Sequence, residues 1–172
     1  MVEAGVDLDQ NGALDPVEVS ATSYVCNGPT GPAVLKYRAT QNVNVAIAGE
    51  TWVAVPGASV QFELTETRFV EMRAHGSVTG SGGTTTFTHC GFRFVVDGVA
   101  YGNNAWGDQT VLCNKTNTAP GWWTPWYIER ELSLDVGIHE VSVELIGWSS
   151  STVQCRMTAE PYSATKLVVE VR

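Results

Sequence analysis

The chain has 172 residues, 44% of them hydrophobic, and a formal net charge of −8. That is enough apolar material for one β domain with a short appendage, without a metal or disulfide merely to fold. The acidic balance gives no counterion-release attraction to nucleic acid and none to anionic lipid, and no window approaches the roughly 20 apolar residues of a membrane helix.

Residues 1–33 form the first predicted unit, a short irregular neck. They are acidic and rich in turn formers, and end in GPTGPA at 28–33. Within them Asp7-Leu8-Asp9-Gln10-Asn11-Gly12 runs on through Ala13, Asp15 and Glu18 and satisfies the full D-x-[DN]-x-[DN]-G-x5-E spacing. Calcium is a hard cation that takes six to eight oxygens. Asp7, Asp9, Asn11, the Ala13 carbonyl, Asp15 and a bidentate Glu18 are the candidate calcium ligands, with Gly12 making the sharp turn. An EF-hand also needs a helix on each side, whereas only six residues precede Asp7 and Pro16 interrupts the exit. An acidic turn that never holds a metal therefore stays open beside the calcium reading. GPTGPA supplies two Gly-X-Y triplets, far short of a stable collagen triple helix, so a stiff Pro-Gly linker is an equal alternative.

From Val34 to Arg172 the chain turns β-branched and glycine-rich. Alternation of apolar and polar residues marks strands at 43–47, 51–55, 59–64, 68–73, 84–96, 109–113, 127–136, 139–146, 152–157 and 166–171. Turn formers separate them: Pro56-Gly57, the run GSGG from Gly80, Asp97-Gly98 and Asp135-Val136-Gly137. About ten short strands with no amphipathic helix predict an all-β head, an antiparallel jelly-roll β-sandwich spanning 34–172. In the last strand Leu167, Val169 and Val171 share one face and Val168, Glu170 and Arg172 the other. One face is core; the second is partly apolar.

Four cysteines, Cys26, Cys90, Cys113 and Cys155, lack zinc or redox spacing, which leaves disulfides or small reduced core residues. Cys90 and Cys155 each share an alternation face with apolar neighbours, so both are expected to point inward. The expected pair is Cys113 with Cys155, both beside polar loops, leaving Cys90 to the core.

Residues 101–127 hold Trp106, Trp122, Trp123 and Trp126 among Asn103, Asn104 and Asp108. Aromatic faces stack on the C–H-rich faces of sugars while Asn and Asp read hydroxyls, so these seven residues are the candidate glycan site. The same tryptophans would equally plug one end of a sandwich or build a subunit interface. Trp106 is the best candidate for exposure, because Gly, Asn and Asp surround it. Catalysis has little support: His75, His89 and His139 sit on separate segments, Ser149 to Ser151 show no nucleophile elbow, and Glu129 with Glu131 read as solvent-facing strand charges rather than a glycosidase pair.

The run from Gly5 to Pro32, with its acidic loop followed by YVCNG and GP triplets, resembles the end of a small module found in secreted proteins of myxobacteria and predatory bacteria. In that module the resemblance implies that Cys26 pairs with an upstream cysteine, which this chain does not contain. The head, through VVDG, the alternating run from Leu132 to Val143 and the terminal LVVEV, is similar to the jelly-roll tips of trimeric fibres. Those include the mosaic adhesive trimers of predatory bacteria and the complement and tumour-necrosis-factor heads. The resemblance implies a homotrimer in a secreted or cell-surface location, acting as a non-catalytic fibre tip on a surface glycan. A purely structural trimerising cap and, more remotely, a glycan hydrolase are the alternatives. Because Met1 stands before a motif already half begun, a signal and an upstream fibre are expected to precede it.

Overall fold

The computed structural model describes residues 2–5, 19–23, 34–47, 49–81, 87–114, 123–147 and 153–172, with backbone alone at 2–5, 19–23 and 114. The six candidate calcium ligands, Cys26, the GPTGPA run and Trp122 lie outside them. The chain divides into two compact units, residues 1–33 and 34–172.

In the first unit, β1 (Val2–Gly5) pairs antiparallel with β2 (Val19–Ser23), Val2 opposite Ser23. Strands rather than helices therefore bracket residues 6–18.

The second unit contains β3 (Leu35–Thr40), β4 (Val45–Ile47), β5 (Val53–Leu64), β6 (Arg68–Ser81), β7 (Phe87–Val96) and β8 (Val99–Ala100). They are followed by β9 (Gln109–Asn114), β10 (Thr124–Leu134), β11 (Gly137–Gly147), β12 (Gln154–Met157) and β13 (Lys166–Val171). No helix occurs among the described residues. In the first sheet the order is β3-β13-β6-β10, with β4 and β12 continuing β3 and β13 along the upper half of β6. In the second it is β5-β11-β7-β9, with β8 folded back on β7. Counting β3–β4 and β12–β13 as one interrupted strand each and setting aside the two-residue β8 gives eight positions along the chain. The sheets then read 1-8-3-6 and 2-7-4-5, which is the order of a jelly roll.

The core forms where the two inner faces meet. Val70, Met72 and Ala74 of β6 and Leu167 and Val169 of β13 face Phe92 and Phe94 of β7 and Val141, Val143 and Leu145 of β11, all fully buried. The period-2 alternation of these strands follows directly from one wet and one dry face. The last strand behaves as its two faces suggest: Leu167, Val169 and Val171 are inside, while Val168 lies half-buried on the outer face.

Two expected turns prove different in kind. Asp97 and Gly98, with φ of 52° and 78°, make the tight two-residue β7–β8 hairpin. Pro56-Gly57 does not end a strand: it lies in a bulge within β5, where four residues sit opposite the single Val143 of β11. Gly57 there has φ of 79°, and a Cβ would stand 2.7 Å from the Asn42 side chain. The β3–β4 and β12–β13 interruptions are stitched together by side chains that replace ladder bonds. The Gln41 amide oxygen accepts from Thr165 N (3.1 Å), its amide nitrogen donates to the Val43 carbonyl (2.9 Å), and Asn44 Oδ1 accepts from Ala159 N (2.8 Å).

The disulfide expectation is corrected. Cys90 on β7 bonds Cys155 on β12, and Cys113 is a buried free thiol. Both bonded cysteines do point inward, but Cys113 belongs to the same sheet as Cys90, on β9 at its edge, opposite Thr88. Only Cys90, on a strand interior to the second sheet, faces Cys155 across the core.

Candidate functional site

Two surfaces of the head carry chemistry. The first is the turn that leaves β8 and crosses the outer face of β7. Asn103 and Gly107 exchange backbone hydrogen bonds (3.0 and 2.7 Å), and Asn103 Oδ1 accepts from the Ala105 and Trp106 amides (2.8 and 3.3 Å). This is an Asx-type arrangement, in which a short amide side chain substitutes for the next backbone acceptor. The turn is pressed onto β7 by Gly91 and Gly107. A Cβ on Gly91 would stand 2.6 Å from the Trp106 carbonyl, and one on Gly107, whose φ is 74°, would stand 2.2 Å from the Phe92 carbonyl. Thr110 donates to the Trp106 carbonyl at 3.2 Å, and Trp52 Nε1 donates to the Asn104 carbonyl at 2.9 Å. The Trp52 ring in turn carries the Arg93 guanidinium at 4.1 Å, a cation–π contact, while Arg93 pairs with Glu144 at 2.6 Å.

Trp106 is thereby held with 38% of its surface exposed. Its ring meets His89 edge-on at 6.3 Å, and His89 meets the exposed Phe87 at 6.1 Å, so three aromatic rings form a ledge along β7.

Of the other described members of the predicted cluster, Asn103, Asn104 and Asp108 share the turn with Trp106, and Trp126 does not present a surface. Trp126 is a correction: it is 3% exposed and stacks on Phe92 at 4.0 Å and 8°, where it joins the two sheets. Asp108 is also structural, since its carboxylate is occupied by Arg130 (2.5 Å) and the Phe94 amide (3.4 Å), and Arg130 lies 5.3 Å over the Tyr101 ring. Asn103 builds the turn and Asn104 is exposed at its tip. Trp123 is half-buried at the entry to β10. The turn thus keeps Asn103, Asn104 and Trp106 together while Trp126 enters the core, and Trp52, which steadies the turn, stands 52 positions before Asn104.

The second surface was missed by the sequence reading. On the outer face of the first sheet, register places residues from four strands in rows. Thr40, Lys166, His75 and Tyr127 form one row; Arg38, Val168, Arg73 and Glu129 the next; Lys36, Glu170, Glu71 and Glu131 the third. A groove of about 420 Å³ lies over the first two rows. The carboxylates of the third row are paired, within the row and with Arg73 and Arg172 beside it. Glu170 is held by Lys36 and, at 2.5 Å, by Arg73; Glu71 is held by Arg172 and, at 3.3 Å, by Arg73. The Lys36 hydrogen bond, with the charges of Arg73, Lys36 and Arg172, outweighs desolvation and pulls the Glu170 carboxyl below its ordinary value. Tyr127 donates to Glu129 at 2.5 Å, which raises its phenol pKa.

His139 lies far from either surface in role. Its ring nitrogens sit 2.8 Å from Asp97 Oδ2 and 2.8 Å from the Asp135 carbonyl, and Asp97 Oδ1 accepts from the Glu140 amide at 2.9 Å. Two acceptors on one imidazole favour the doubly protonated ring. The three described clusters hold no group of three or more His, Cys, Asp or Glu side chains arranged for a metal, a statement that applies to the described residues alone.

Residues 1–26 match the profile of a Domain of unknown function (DUF7151). No curated protein matches the chain. Among solved structures, it is similar to dimeric latent PorU from Porphyromonas gingivalis, with 7% identity over 80% of this chain and 13% of that one, at a TM-score of 0.35. It is also similar to the infectious bursal disease virus Gx strain structure, with 12% identity over 93% of this chain and 40% of that one, at a TM-score of 0.37. The T13 particle of the same virus gives 13%, 93%, 39% and 0.37 respectively. The chain spans less than half the length of each of these.

Proposed function

We propose that the protein is a non-catalytic, extracytoplasmic tip module that binds glycan on a target surface. The observation that carries this reading is the Trp106 turn: two buried-contact glycines, an Asx turn, Thr110 and Trp52 all fix a loop whose result is an exposed indole beside His89 and Phe87. Binding surfaces gain most from aromatic groups whose position is settled before the ligand arrives. The Cys90–Cys155 disulfide is compatible with an oxidising compartment. The non-catalytic part is supported by the commitments of the titratable groups: His139 to Asp97 and Asp135, Glu129 to Tyr127, and Glu131 to Arg172 at 3.8 Å. A glycan array with wild type and Trp106→Ala tests the proposal. Expected is binding by wild type that the variant loses while its circular dichroism is unchanged; equal binding by both sinks the reading.

A second reading, a trimerising cap, draws on a different observation. Val34, Leu35, Phe69, Val136 and Ile138 are all exposed, and register sets them at one end of the sandwich, where the chain enters the head. A second and third copy would cover them. Light scattering should then give three times 18.5 kDa, falling to monomer in a Phe69→Asp, Ile138→Asp variant; a monomeric wild type removes this reading.

A further inference from the structure

We propose that the groove on the outer face of the first sheet binds an oxyanion carried on a sugar ring, a carboxylate or a sulfate. Four of the chain's ten lysines and arginines, Lys36, Arg38, Arg73 and Lys166, line one groove of a chain whose net charge is −8. Lys36 and Arg73 are neutralised by Glu170 and Glu71, but Arg38 and Lys166 have no ion-pair partner among the described residues. They are diagonal neighbours on one face, because Arg38 stands opposite Val168 and Lys166 opposite Thr40. Lys166 also faces His75 directly, and Arg73 is its diagonal neighbour on the other side. Like charges this close on one sheet face repel one another.

The position that would hold their counterion is Val168, between Arg38 and Arg73 on adjacent strands. In the next row the equivalent position is Glu170, and there the cations are paired. The groove thus has the cationic rim of an ion-pair network with the anion replaced by an apolar floor. Adjacent strands lie about 4.8 Å apart, so Arg38 and Arg73 spring from positions about 10 Å apart with that floor between them. A ligand oxyanion there would take charge-assisted bonds from Arg38 and Lys166, the guanidinium offering a planar fork to a carboxylate or sulfate. Tyr127 forms a wall of the groove, and with its hydroxyl spent on Glu129 it offers its ring face. An aromatic face beside an oxyanion site and a Thr40 hydroxyl suits an acidic sugar better than an aspartate-rich peptide. That the anion sits on a sugar rests on the glycan-binding reading; the anion preference does not.

The test is calorimetric titration of the full chain at low salt with glucuronic acid, galactose 6-sulfate and glucose. Expected is binding of at least one acidic sugar, weakening as salt rises, and none of glucose; the two acidic arms separate carboxylate from sulfate. Arg38→Gln or Lys166→Gln should weaken it by about tenfold. Val168→Glu should supply the internal counterion, raising Tm while abolishing sugar binding, a pairing that a merely unfolded variant would not produce. Acidic sugars that bind no better than glucose, or bind Val168→Glu as well as wild type, overturn the proposal. Groove binding retained in Trp106→Ala while array binding is lost, or the reverse, shows which of the two sites has failed.

Discussion

Cys90 and Cys155 join the two sheets through the core, with Cα atoms 5.8 Å apart and a sequence separation of 65. Each sits on an inner face and is fully buried, so the bond adds a covalent tie to a contact already made by packing. Closing a loop of this length removes unfolded-state entropy worth about 4 kcal/mol in the chain-entropy account.

A peptide map without reductant should therefore show a Cys90–Cys155 cross-link and no Cys113–Cys155 species. Cys155→Ser should lower Tm by on the order of 10 °C. Cys113 should stay silent to thiol reagents until the head unfolds, because burial, only partly offset by its contact with Thr124, pushes its thiol up to about 12. Rapid native labelling at Cys113 would contradict this geometry.

The His139–Asp97 pair makes stability depend on pH in a definite direction. Burial by itself would lower the His139 pKa, but the Asp97 hydrogen bond, the Asp135 carbonyl and the two carboxylate charges outweigh it and raise the value above 6.5. Burial would raise Asp97, and its bonds from His139 and the Glu140 amide override that and lower it. A raised folded-state histidine pKa gives stability that is full below about 6.5 and is lost as pH rises through the folded value. A lowered aspartate pKa gives stability that is present above 3.8 and is lost as pH falls through the folded value. The pair contributes most between these limits. Thermal melts from pH 5 to 8 should show wild type losing Tm on the alkaline side, with a flatter profile in His139→Gln; parallel profiles would show that the pair carries no linkage.

Trp126 and Trp106 should separate cleanly under truncation. Trp126→Ala opens a cavity against Phe92 where the sheets meet, at a cost of about 3–5 kcal/mol. Trp106→Ala removes a ring that is 38% exposed and rests on the surface of β7, and should cost about 1 kcal/mol or less. Urea midpoints measure both, and similar losses would place Trp106 in the core.

Calcium binding by Asp7, Asp9, Asn11, the Ala13 carbonyl, Asp15 and Glu18 is expected to be millimolar or absent. The flanks of this segment are the strands β1 and β2, and an EF-hand relies on flanking helices to hold its ligands in place. Calorimetry decides it: submicromolar affinity that disappears in Glu18→Ala would mean the loop is organised by something other than its flanks.

Strand alternation was legible in the sequence because one wet and one dry face leave a period of two, as in Leu132 and Leu134 or Leu167 and Val169. The inward set of Cys90 and Cys155 followed from the same signal. LKYRAT gave too little of it: β3 lies at a sheet edge and turns only Tyr37 and Ala39 toward the core. Pro56-Gly57 has the composition of a turn, yet β11 runs past it and holds both halves of β5 in one ladder. Which strands adjoin was decided by the tertiary structure alone. Alternation says which residues share a face of one strand, and nothing in it says that Thr40, Lys166, His75 and Tyr127 stand in one row. That row gathers residues up to 126 positions apart, brought together only when two inner faces have to exclude the same water. Both the Cys155 partner and the cationic groove follow from that pairing, because each depends on a neighbour from a distant strand rather than on any local spacing.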